Sequence, residues 1–112
     1  MQEKQYTWHK IAEHINELSF GENFIAVTHF NGRKICVAKQ GEEAFAFSFT
    51  CPHAGGIMAY GQINQEGQVV CPLHRYRFDM RTGRNVSGEG YYLMHWPLRI
   101  TEEGVYLGTF NV

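Results

Sequence analysis

Cys51-Pro52-His53-Ala54-Gly55-Gly56 and, with seventeen residues intervening after His53, Cys71-Pro72-Leu73-His74-Arg75 decide how this chain is read. Each segment holds a cysteine, a proline directly after it, and a histidine two or three positions beyond the cysteine. Thiolate and imidazole donors at such spacing suit zinc or iron, so Cys51, His53, Cys71 and His74 are candidate metal ligands. Their order narrows the chemistry. A zinc finger separates a cysteine pair from a histidine pair, and a zinc ribbon uses two C-x-x-C knuckles. Here each segment supplies one of each. One reading is a single zinc ion on all four residues, holding the fold together without redox activity. The other is a two-metal centre with both cysteines on one metal and both histidines on the other.

Working outward, both segments follow strand-like sequence. Ala44-Phe45-Ala46-Phe47-Ser48-Phe49 alternates strictly, so three phenylalanines share one face, which should be core, and the strand runs into Cys51. Residues 61–64 and 68–70, turned at Gln65-Glu66-Gly67, form a hairpin that delivers Cys71. Further upstream, Phe24 to Phe30 and Arg33 to Lys39 flank Asn31-Gly32, a pair suited to a two-residue type I′ turn. Within the return strand, Ile35 and Val37 point one way and Cys36 and Ala38 the other. Tyr6, Trp8 and Ile11 begin a first strand or extended arm, and Glu13 to Leu18 makes a helical turn that ends at Gly21. Downstream, Arg77-Phe78-Asp79 is a short strand turned back at 80–83. Tyr91 to His95, Leu98 to Thr101 and Val105 to Phe110 carry further β character. Eight or nine short strands with regular turns predict an all-β chain, a small antiparallel sandwich or barrel.

Composition sets the outer bounds. The 112 residues make one domain with a modest core, and a net charge of −1 invites no nucleic acid. No apolar run approaches a membrane span, and the N-terminus has no apolar segment of a secretory signal. Three cysteines, two of them in the motif, leave Cys36 unpaired, which predicts a reducing, cytoplasmic setting with Cys36 as a small buried hydrophobe. His9 and His14 read as surface or capping residues, and His29 and His95 as structural.

The two motif segments, CPHAGGIMAYG and CPLHRYRFDMRTG, resemble the cluster loops of the Rieske ferredoxins, and the likeness extends from Trp8 to about Val105. It implies a single Rieske domain over 1–112, with a cluster-binding subdomain near 50–80 at one end of the β fold. It implies one [2Fe–2S] cluster, with Cys51 and Cys71 on a buried iron and His53 and His74 on an outer one. Pro52 and Pro72 would stiffen the loops, and Gly55 and Gly56 would allow positive φ or close backbone approach. Two Fe(III), two sulfides and two thiolates sum to zero, which favours uptake of an electron and places the class at roughly −150 to +300 mV. High-potential members bridge their loops with a disulfide. Gly56 and Leu73 stand at those positions here. Tyr76 and Phe78 stand where such members carry a serine and a tyrosine hydroxyl near the cluster. Both departures imply a low-potential type.

Two other departures concern the rim. Arg75 replaces the family's usual glycine after the second histidine, adding a fixed charge that favours the reduced state. With Arg77, Arg81 and Arg84 it makes a basic rim for an acidic redox partner, or else a solvated loop. Ser87-Gly88-Glu89-Gly90 replaces a proline-containing loop that covers the cluster, and Tyr91, Tyr92 and Trp96 read as core or cluster-side packing. The resemblance implies an electron carrier, not an enzyme by itself and without a substrate of its own, linking a flavin-dependent reductase to a terminal oxygenase. The small subunit of an assimilatory nitrite reductase is the alternative.

Overall fold

Strict alternation around Phe47 sets the layering of the computed structural model, which describes residues 5–53 and 55–110. Among the described residues there are ten strands: β1 (Tyr6–Ala12), β2 (Ile25–Phe30), β3 (Arg33–Gln40), β4 (Glu43–Ser48), β5 (Gln62–Ile63), β6 (Gln68–Val70), β7 (Arg77–Asp79), β8 (His95–Trp96), β9 (Leu98–Thr101) and β10 (Gly104–Phe110). They form three antiparallel sheets, ordered β1-β10-β9, β2-β3-β4-β8 and β5-β6-β7. The fold is all-β, as expected, with short 3₁₀ turns at Ile15–Glu17 and Met58–Tyr60. No helix among the described residues is long and apolar enough to cross a membrane.

The four-stranded sheet is buried on both faces. Val37 pairs with Ala46 and Cys36 with Phe47, and successive rungs send their side chains to opposite layers. Ile35 and Ala46 pack with Leu107, Ile11, Leu98 and Trp96 against the β1-β10-β9 sheet. Cys36, Ala38, Phe45 and Phe47 face the other way, onto Met58, Val69, Phe78, Met80 and the two motif cysteines. The continuous run Ile35-Cys36-Val37-Ala38 is apolar because both of its faces are covered. The phenylalanine face of β4 is core as its alternation predicts, and it is the face that carries the motif loops.

Local details agree with the turn chemistry. Asn31 (φ 53°) and Gly32 (φ 78°) make the type I′ turn between β2 and β3. His14 caps the first 3₁₀ turn, its Nδ1 accepting from the Asn16 amide. His9 differs from its expected surface role: its ring lies tilted against Phe30 at 5.0 Å and its Nε2 meets Thr109 Oγ1 at 2.9 Å, so it is half-buried. The β character expected at 91–95 reduces to a bridge from Tyr92 to Arg84 and the two residues of β8, because Gly88 and Gly90 bend the chain with positive φ.

Candidate metal centre

Two loops, each held by a strand on either side, meet at one end of the molecule. The first leaves β4 and is pinched by a bridge between Thr50 and Ile57. The second leaves β6 at Val70 and enters β7 at Arg77. Both close in the same way. The Cys51 amide donates to the Gly56 carbonyl at 2.7 Å, and the Cys71 amide to the Tyr76 carbonyl at 2.8 Å, five residues on in each case. Four residues after its cysteine each loop turns through positive φ, with Gly55 at 76° in the first and Arg75 at 62° in the second; His74 at 69° joins it. The side chain of Asn23 ties the far side, donating to the Ala59 and Gly61 carbonyls at 2.9 and 2.8 Å.

The geometry brings all four sequence-predicted residues together and sorts them by depth. Cys51 and Cys71 are buried as free thiols. Burial pushes the Cys71 thiol up to about 11, and the adjacent Cys51 thiol adds to the rise, while a hydrogen bond from the Leu73 amide works against it. Such a thiol gives up its proton in exchange for a cation. The imidazoles lie outside the thiols, with ring centroids 5.0 Å apart; His53 is half-buried and His74 exposed.

Three observations fit a two-metal centre split between thiols and imidazoles. His53 Nδ1 is buried and has no hydrogen-bond partner, which is the state of a nitrogen reserved for a metal. Gly56 keeps the space between the cysteines open, since a Cβ there would stand 2.8 Å from Cys71 Sγ and 3.0 Å from Leu73 Cβ. Among the described residues no three His, Cys, Asp or Glu side chains converge where one metal ion could sit. A cluster asks each metal to find only two protein donors.

The sequence profile of the Rieske [2Fe-2S] domain matches residues 7–91. This chain belongs to that family. The Rieske fold's cofactor, a [2Fe–2S] cluster, is therefore the group these donors suit. Among relatives, the ferredoxin subunit of anthranilate 1,2-dioxygenase from Burkholderia cepacia is 34% identical over 76 residues, covering 68% of this chain and 67% of its own length. The ferredoxin component of the alkene monooxygenase system from Xanthobacter autotrophicus is 22% identical over 76 residues. That match covers 68% of this chain but only 62% of the relative's length. Solved structures share the fold. The ferredoxin of carbazole 1,9a-dioxygenase from Nocardioides aromaticivorans superposes with a TM-score of 0.75, at 22% identity, over 90% of this chain and 96% of its own. A protein assigned as the small subunit of an NADH-dependent nitrite reductase from Mycobacterium tuberculosis gives 0.76, at 18% identity, over 96% and 98%.

Around the Rieske donors lie residues that motif spacing does not reveal. The Tyr76 ring stacks on His53 at 4.1 Å and 28°, and Tyr91 stacks on Tyr76 at 6.0 Å and 29°. Tyr91 also reaches His53 at 5.6 Å. The cluster-side packing expected of the late aromatics thus falls to Tyr91, whereas Trp96 packs between the sheets and Tyr92 is exposed. Phe78 is wholly buried and offers no hydroxyl. Asn85 is the hub of the loop before Tyr91. Its Oδ1 accepts from the amides of Gly88, Glu89 and Gly90, and its Nδ2 points at Ser87 Oγ, the Glu89 carboxylate and the Arg77 carbonyl. The serine–glycine stretch is thereby held as a defined loop. Of the four arginines expected to form a basic rim, Arg81 is taken by Glu43 and by the Phe45 ring, and Arg77 leans on Gln68. Arg75 and Arg84 form no side-chain hydrogen bond or ion pair among the described residues.

Proposed function

We propose that this chain is an electron-transfer protein in which Cys51, Cys71, His53 and His74 hold one Rieske [2Fe–2S] cluster. It passes single electrons from a flavin-dependent reductase to a terminal oxygenase. The observation that carries the reading is the donor set sorted by depth, with two buried thiols behind two outward imidazoles. When bound, the cluster supplies a one-electron redox couple at roughly −150 to +300 mV. The chain's residues do the rest. The matched loop closures fix donor spacing, the Leu73 amide donates to the Cys71 sulfur, and the apolar shell of Phe47, Met58, Val69 and Phe78 keeps water from the inner thiols. With Phe78 in place of a hydroxyl, few hydrogen bonds reach sulfur, which supports a potential in the lower half of the class.

The oxygenase partner is supported by the sequence relatives, both of which serve oxygenase systems. The nitrite reductase alternative has likeness of fold alone. The test is to mix the cluster-loaded protein anaerobically with NADH and a flavin-dependent reductase of a ring-dioxygenase system. The visible absorption should bleach by one electron per chain and recover when the oxygenase, its substrate and oxygen are added. Absence of bleaching would overturn the reading.

A further inference from the structure

We propose that Arg75, beside the exposed His74 edge, selects redox partners presenting carboxylates there; this rests on the electron-transfer reading above. The two histidines are not equivalent. Tyr76 lies flat on His53, and Tyr91 closes over both from outside, so the approach to His53 is walled by two rings. His74 meets Tyr76 only at 6.4 Å and a 43° tilt, and it is exposed, beside Leu73, which is 40% exposed. Electron tunnelling weakens steeply with distance, so the exposed imidazole is the nearer terminal for a docked protein.

Arg75 stands next to that terminal in a conformation that does not suit it. The equivalent place in the first loop, four residues after the cysteine, is Gly55, and both residues have positive φ. A non-glycine residue held there is strained, and strain of this kind collects at functional positions. The guanidinium has no hydrogen bond or ion pair among the described residues, unlike Arg81 on Glu43. It is therefore free to meet an outside anion. Beside it runs an open groove of about 590 Å³, lined by Tyr60, Gln62, Pro72 and Arg75 among others, with Tyr60 75% exposed at its edge. Among the described residues Arg75 is the one charged residue lining that groove, so an acidic segment of a redox partner finds its counter-charge there. A charge at the docking edge acts on encounter rate and choice of partner more than on raw affinity.

The transfer itself is one electron out of the reduced protein and into the acceptor, with no bond made or broken. The test uses the cluster-loaded protein, reduced anaerobically, and follows reoxidation by two small acceptors of opposite charge, ferricyanide and hexaammineruthenium(III). Arg75→Gly suits the backbone and removes the charge; Arg75→Asn, which also tolerates positive φ, is the second variant. A change in driving force moves both rates in the same direction, so the ratio of the two rates isolates the docking charge. Both variants should lower the ferricyanide-to-ruthenium ratio several-fold at low ionic strength. The difference should vanish near 1 M salt, where the Debye length falls to about 3 Å. Tyr91→Ala should raise both rates by opening the His53 side. An unchanged ratio in both Arg75 variants would overturn the selection role, and unchanged rates in Tyr91→Ala would overturn the wall. A protein that cannot be reduced at all would instead overturn the electron-transfer reading beneath.

Discussion

Gly55 and Gly56 sit side by side in the first loop for different reasons, and substitution separates them. Gly55 has φ of 76° with nothing within 4 Å of where a Cβ would stand, so Gly55→Ala costs backbone strain of about 1–2 kcal/mol and leaves the site its room. Gly56 has ordinary φ, but a Cβ there would meet Cys71 Sγ at 2.8 Å, so Gly56→Ala costs about 1–3 kcal/mol in overpacking and spoils the thiol pair. Iron and sulfide analysis should find the cluster retained in the first variant and largely lost in the second; equal retention would contradict the close-approach argument. Cys36 makes a prediction in pH. Its burial pushes the thiol from 9.0 up to about 12, so the fold favours the neutral form. The unfolded chain ionises this thiol above pH 9 while the folded chain does not. Its contribution is therefore whole below pH 9 and is lost as pH climbs toward 12, by up to about 1.4 kcal/mol per unit. Urea unfolding of the protein and of Cys36→Ala should give a stability difference that is flat to pH 9 and declines beyond it, and parallel curves would contradict this.

At the scale of elements, the loop from Asn85 to Gly90 is ordered by one side chain. Asn85→Ala removes the acceptor shared by three amides and frees Tyr91 from its place over His53. Amide hydrogen exchange at residues 88–90 should speed up by at least tenfold while iron content stays unchanged; protection equal to that of the parent protein would show that the loop is held otherwise. This loop also marks where reading the sequence stops. That the four candidate ligands belong together is legible because their spacing is short and local, and β4 is legible because alternation has a period of two. Tyr76 and Tyr91 are not legible as a stack on His53, since their meeting depends on Asn85 folding the intervening loop back. His9 reads as a surface residue because nothing local reveals its contact with Phe30, which only strand pairing creates. Arg75 is legible as a departure from the family pattern, but that it adopts the glycine conformation shows only in the backbone.

Across the whole molecule, the β2-β3-β4-β8 sheet is the rigid middle layer. One face carries the β1-β10-β9 sheet and the other carries both loops, so the site is set into the core through Cys51 and Cys71 and exposed only through its imidazoles. Sequence alternation in β3 and β4 foretells two faces, but not that both are covered, because each layer comes from a distant part of the chain. An arrangement with thiols inside and imidazoles outside suits the proposed carrier. Its most direct test is an anaerobic spectroelectrochemical titration of the purified protein at pH 7, with iron and acid-labile sulfide counted on the same sample. The expected result is about two irons and two sulfides per chain and a chromophore that bleaches with a one-electron midpoint in the lower half of the range from roughly −150 to +300 mV. A colourless protein holding zinc and no sulfide would contradict it.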